Sequence, residues 1–165
     1  MKEKIFFNVF LIFLVLFLEM VFLNHFHVNM AAPDFFLVLV LYFVWNKGIM
    51  KGQITAFFLG FLKDVFGLGI FGIHMMLYTI IAYLVGRIVN NIDKESVLHQ
   101  IVIGFFSAVI YYLGFFSINK LIGFKLEVGY RILYFTKPFV IALFTPLLFK
   151  IFNKIGAKWF RLRIA

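Results

Sequence analysis

The chain contains no cysteine, which excludes disulfides, thiolate metal sites and cysteine nucleophiles. It also has little charge: Asp, Glu, Lys and Arg make up 14% of its 165 residues, and only 7 are acidic. A soluble domain of that length needs a charged shell that this composition cannot supply. No Ser/His/Asp set, no pair of carboxylates near a cleft and no phosphate-binding loop can be assembled. An enzyme reading therefore has little to rest on, and no cofactor is expected. Linkers, low-complexity tracts, extramembrane domains and internal repeats are likewise not visible.

What fills the chain is apolar. Hydrophobic residues reach 64%, Phe alone contributes 26, and the mean hydropathy is +1.04. Residues Ile5–Leu23 carry a single charge, Glu19, and apolar runs recur at Phe35–Trp45, Ile54–Phe71, Ile73–Val89, Val97–Ile118 and Ile132–Phe149. About 20 apolar residues rising about 1.5 Å each cross a hydrocarbon core about 30 Å thick. The expected fold is an all-α integral membrane protein, a single domain of about six spans over residues 5–23, 31–46, 52–68, 72–89, 97–117 and 131–149. The first run is longer than a signal-peptide core and no small-x-small cleavage site follows it, so it reads as an uncleaved helix. The second is the shortest. It spans only if 28–32 continue it across Pro33, and a re-entrant hairpin is the other reading. Were it re-entrant, the basic tail would fall outside, so a full span is expected.

Charge sets the orientation. Lys2, Lys4, Lys47, Lys51, Arg87, Lys94, Lys150, Lys154, Lys158, Arg161 and Arg163 fall at one set of span ends, against Lys120, Lys125 and Arg131 at the other. That asymmetry predicts both termini in the cytoplasm. The formal charge of +9 is accordingly a topology signal, and no nucleic-acid partner is expected. The tail also suits anionic headgroups, but a topology anchor is the simpler reading. Tyr42, Trp45, Tyr130, Tyr134 and Trp159 lie near span ends, where interfacial aromatics collect.

The interruptions of the apolar runs carry the remaining information. Gly48, Gly52, Ala56, Gly60 and Asp64 recur every four residues, one narrow helical stripe of small side chains ending in a carboxylate. Tyr78-Ala82-Gly86 and Gly104-Ala108 form shorter stripes. Small residues let helices approach closely in lipid, either within the bundle or against another membrane protein, and the two uses are compatible. Lys63 and Asp64 are adjacent charges about 100° apart on a helix, so they do not pair with each other. Asp64 is expected to meet another helix or to sit near the turn that follows, while Lys63 can snorkel. Glu19 and Asp34 are the other acidic residues near the spans, few for an ion or proton relay. Gly67, Gly69 and Gly72 have the spacing G-x-G-x-x-G, but between apolar helices they predict a tight turn rather than a dinucleotide site. Pro33-Asp34 marks a helix start, and Pro138 and Pro146 should bend the last helix. His25 and His27 are interfacial side chains rather than a metal site, and His74 and His99 have no evident co-ligands.

Pro33-Asp34, then Gly52…Gly60-Phe61-Leu62-Lys63-Asp64, then Gly69…Gly72-Ile73 leading to Ile80-Ile81-Ala82-Tyr83-Leu84, resemble the MreD family of the bacterial cell-elongation machinery. This resemblance over about residues 33–87 implies a non-enzymatic scaffold of the cytoplasmic membrane, serving rod shape and peptidoglycan synthesis. Its implied partners are an MreC-like single-span protein, the RodA-type polymerase with its transpeptidase, and MreB, directly or through MreC. It also implies a six-helix fold like the substrate-binding subunits of energy-coupling-factor transporters. A vitamin-transporter subunit of that kind is the alternative function. Against it, the first span has no Gly or Ala for docking a coupling subunit, and only Asn24, His25, His27 and Asn29 suggest an external ligand pocket.

Overall fold

The structure, a computed structural model, describes residues 2–25, 33–66, 70–123 and 128–161. Five helices follow one another: α1 (Lys2–His25), α2 (Phe35–Phe66), α3 (Ile73–Val89), α4 (Val97–Leu121) and α5 (Val128–Arg161). Among the described residues there is no strand. Among the described residues, stretches of three helices are long and apolar enough to cross a membrane: Phe35–Phe66, Val97–Leu121 and Phe135–Ala157. Ile73–Val89 is a shorter apolar helix, and Asn8–Glu19 is an apolar stretch within α1. The expectations for Gly67, Gly69, His27 and Asn29 lie outside the described residues, as do the side chains of Asn24, His25, Tyr130, Tyr134 and Trp159.

Among the described residues the helical elements are therefore five rather than six, because no loop separates the expected second and third spans: α2 holds two helical arms joined at Gly48. Helix α2 instead reverses at one residue. Gly48 has φ 79° and ψ −179°, a conformation essentially restricted to glycine. A straight helix would set Asp34 and Lys63 about 43 Å apart, yet the Lys63 ammonium is bonded to the Asp34 carboxylate. The arms 35–47 and 49–66 thus lie side by side.

Burial explains why the first arm is short. Every residue from Pro33 to Trp45 is buried, so this arm is enclosed on all sides, as an all-round apolar helix must be. At about 1.5 Å per residue its 35–47 stretch reaches about 20 Å. The rings of Tyr42 and Trp45 are accordingly covered by protein rather than turned out to lipid. The Tyr42 hydroxyl donates to Asn153 Oδ1 at 2.9 Å, and Trp45 Nε1 donates to the Lys94 carbonyl at 3.3 Å. Both rings pack edge-on against Phe149 of α5. By contrast, the second arm and the later helices turn Phe57, Phe58, Phe61, Val65 and Phe106 outward, as lipid-facing surfaces allow.

The small residues seat the helices. A Cβ placed on Gly52 would lie 2.5 Å from a Val44 methyl, and one on Gly86 would lie 2.7 Å from Ile49. On Gly60 it would run into the Met75 backbone, with His74 O at 2.8 Å. Ala56 and Ala82 are fully enclosed. Gly48 differs from these: nothing lies within 4 Å of an added Cβ, so it turns the chain and does not make a seam. Helix α5 runs unbroken through Pro138 and Pro146.

This separates two kinds of glycine by experiment. Gly48→Ala is expected to lower stability by about 1–3 kcal/mol through backbone strain alone. An unchanged thermal unfolding midpoint in mild detergent would show that the reversal does not depend on glycine.

Candidate functional site

Three charged side chains from the apolar runs meet inside the bundle. Asp34 precedes the first turn of α2, where its Oδ1 accepts the Leu37 N–H at 3.0 Å and its carbonyl accepts the Val38 N–H at 3.1 Å. A carboxylate there satisfies an amide that has no partner within the helix and meets the positive end of the helix dipole. It is 5% exposed. The reversal at Gly48 brings Lys63 back to it. The Lys63 ammonium donates to Asp34 Oδ2, donates to the Tyr78 hydroxyl at 2.9 Å, and lies 3.6 Å from Glu19 Oε1. Tyr78, fully buried on α3, places its hydroxyl 2.9 Å from both Asp34 oxygens, accepting from Lys63 while donating to the carboxylate. Lysine, carboxylate and phenol close a triangle.

Aromatic rings complete the enclosure. The Lys63 nitrogen sits 5.8 Å from the Phe36 ring centre, 5.5 Å from that of Tyr78 and 5.7 Å from that of Tyr111. Ring faces attract a cation more strongly once water is gone. His74 Nδ1 pairs with the Tyr111 hydroxyl at 2.8 Å, and its ring stacks on Phe115 at 5.3 Å. Lys137 of α5 lies 5.8 Å from the centre of the Tyr112 ring. All five helices contribute: Glu19 from α1, Asp34 and Lys63 from α2, Tyr78 and His74 from α3, Tyr111 and Tyr112 from α4, and Lys137 from α5. Glu19 Oε2 is enclosed and has no hydrogen-bond partner among the described residues.

Lys63 thus does not snorkel. Two carboxylates within the bundle hold it, at less cost than leaving either charge alone in an apolar interior. Its neighbour Asp64 points elsewhere and does a different job. Asp64 Oδ1 accepts the His74 N–H at 3.1 Å and Oδ2 accepts the Met75 N–H at 3.0 Å. It therefore caps α3 from the end of α2. Gly72, at φ 97°, makes the turn into that helix without steric penalty. One lysine–aspartate step fixes the ends of three helical segments.

Of the residues singled out by sequence, Asp34 and Asp64 gather about one end of the bundle while Gly52, Ala56 and Gly60 pack beneath them. Glu19, Tyr78, His74, Tyr111, Tyr112 and Lys137 join the site only in the folded chain. The available signal was depth: Glu19, Asp34 and Lys63 all fall near the same-side ends of successive apolar runs. Among the described residues no group of three His, Asp or Glu side chains gathers that could hold a metal. Chemically the arrangement is a tie in which one ammonium is shared by two carboxylates and a phenol.

Its strength is testable. Removing one member of a buried pair costs about 3–5 kcal/mol because the other charge is stranded, so Lys63→Met is expected to unfold at markedly lower temperature. Lys63→Met combined with Asp34→Asn is expected to lose less than the sum of the single changes. Additive losses in detergent unfolding would remove the pair from the account.

Comparison with known proteins adds one match. A family model described as rod shape-determining protein MreD matches residues 1–155. No curated protein and no solved structure matches the chain.

Proposed function

The chain belongs to the MreD family of rod shape-determining proteins, and from that premise we propose that it is a non-enzymatic scaffold of the cell-elongation complex in the bacterial cytoplasmic membrane. The family is one of structural membrane proteins that act in shape determination with MreC and MreB. On our reading this chain docks an MreC-like single-span protein. Through it, or directly, it couples MreB to a RodA-type polymerase and its transpeptidase, and so contributes to peptidoglycan synthesis. The observation that carries the reading is the extent of the family match, nearly the whole chain rather than a local motif.

The polar cluster supports the same view. A side chain committed to Asp34, Glu19 and Tyr78 braces helices, and a braced bundle presents a fixed outer surface to partners. We read the path through the membrane as six crossings, one each by α1, α3, α4 and α5 and two by the arms of α2, with both termini cytoplasmic. The eleven basic residues at one set of ends support that orientation. Gly52 and Gly60, which face Val44 and Met75 of their own chain, act on partners by setting the shape of the bundle.

Two measurements test these proposals. Mild-detergent purification from native membranes is expected to recover an MreC-like protein, with Gly52→Leu and Gly60→Leu losing both that recovery and rod shape. Recovery of paired ATPases with a membrane coupling subunit, or unaltered assembly in both variants, would sink the scaffold reading. Replacing Lys150, Lys154 and Lys158 by Gln is expected to disturb membrane orientation in a tag-accessibility assay; an unaltered orientation would count against the tail as topology anchor.

A further inference from the structure

Helices α4 and α5 approach closely at one level and part at the next. At the close point a Cβ on Gly104 would lie 2.5 Å from Thr145 Oγ1. Toward the Leu121 end the two helices leave a groove of about 510 Å³, within the size range of ligand sites, about 300–1,000 Å³. Its walls are apolar: Phe105, Val109 and Phe116 from α4, and Phe135, Pro138 and Phe139 from α5. Tyr112 stands on the α4 side as well. Phe135 and Phe139 are largely exposed, so the groove opens on the surface that faces lipid.

Its dimensions match one leaflet. From Phe105 to Phe116 is about 16 Å along the helix, about half of a 30 Å hydrocarbon core. A spanning partner helix would need a track along the full length of α4 and α5, whereas this groove stops at the Gly104–Thr145 contact. At its other end the stripe 105, 109, 112, 116 continues at helical spacing to position 120, which is an exposed lysine. Lys120 lies about 6 Å beyond Phe116, at the depth where the hydrocarbon gives way to headgroups.

We propose that the α4–α5 groove is a binding site for one acyl chain of an anionic glycerophospholipid, with Lys120 pairing with its phosphate. The apolar walls take the tail, the close helix contact sets its depth, and the lysine selects the headgroup. Charge complementarity distinguishes this occupant from a zwitterionic lipid. A basic side chain near the membrane surface contributes about 1 kcal/mol toward anionic lipid, equivalent to about fivefold selection.

The full chain is reconstituted in nanodiscs of equal palmitoyl-oleoyl phosphatidylglycerol and phosphatidylethanolamine, returned to mild detergent, and weighed by native mass spectrometry. The expected result is one retained lipid, phosphatidylglycerol favoured about fivefold, with parity in Lys120→Gln and no retained lipid in Val109→Trp. A photoreactive benzoylphenylalanine at the exposed position 113 is expected to crosslink lipid in the same nanodiscs. Equal retention of the two lipids by the unaltered chain, undiminished preference in Lys120→Gln, or a crosslink at position 113 to protein instead of lipid would each overturn the proposal. The lysine variant and the crosslink stand even if Val109→Trp fails to fold.

Discussion

A lysine ammonium held by a buried carboxylate is the constraint on which the arrangement of this bundle depends. Lys63 and Asp34 stand at opposite ends of α2, and their bond requires its two arms to double back at Gly48. Once it does, the first arm of α2 has a neighbour along its whole length and can become the enclosed centre of the bundle. Glu19 draws α1 to the same cation, and Tyr78 draws α3. In lipid the hydrophobic effect does not push helices together, because tails are as apolar as leucine. A charge that can be neutralised in only one geometry supplies the specificity that burial supplies in water, and satisfied polar groups are worth most where water is absent.

Close packing then fixes what the ion pair orients. Gly52 and Gly60 lie on one side of the second arm of α2, yet they meet different neighbours, Val44 of the first arm and Met75 of α3. That arm is wedged between the other two by side chains too small to hold them apart. Asp64 extends the stripe by one turn and changes its chemistry from contact to hydrogen bonding, receiving the first amides of α3. Because those amides are unpartnered within their own helix, the cap and the seam reinforce each other.

Much of this was legible in the sequence, and the failures share one cause. The apolar runs gave helices at nearly the right places, and Pro33-Asp34 gave the start of α2. The four-residue spacing from Gly52 to Asp64 gave a face of unusual character. What periodicity cannot supply is the third dimension. The run at 35–45 looked too short for a span because lipid exposure was the implied reference, whereas a helix wrapped by protein need not reach both interfaces. Tyr42 and Trp45 lie near a span end by their position along the chain, and there α5 covers their rings while their polar atoms bond Asn153 and the Lys94 carbonyl. Lys63 read as a snorkelling side chain since no acceptor lies within helical reach; its acceptor is 29 residues away and arrives only through the reversal at Gly48. Gly48 itself fell in step with the packing stripe, and spacing alone cannot tell a glycine that turns the chain from one that admits a neighbour.

The same division of labour bears on how a small membrane protein can act in shape determination without a soluble domain in view. Its described charges inside the apolar spans turn to one another, to helix amides and to aromatic rings, so the outer faces of α2, α4 and α5 are left almost purely apolar between their ends. Recognition of a protein partner on such a surface, between the basic residues at the helix ends, cannot come from salt bridges. It has to come from shape, and shape is held only if the interior is rigid. A cluster drawing on all five helices at one end, with glycine seams beneath it, provides that rigidity: displacing any one helix strands a charge or opens a close contact. On the scaffold reading, the buried lysine affects a partner it never touches, because the contour the partner meets exists only while that lysine is neutralised.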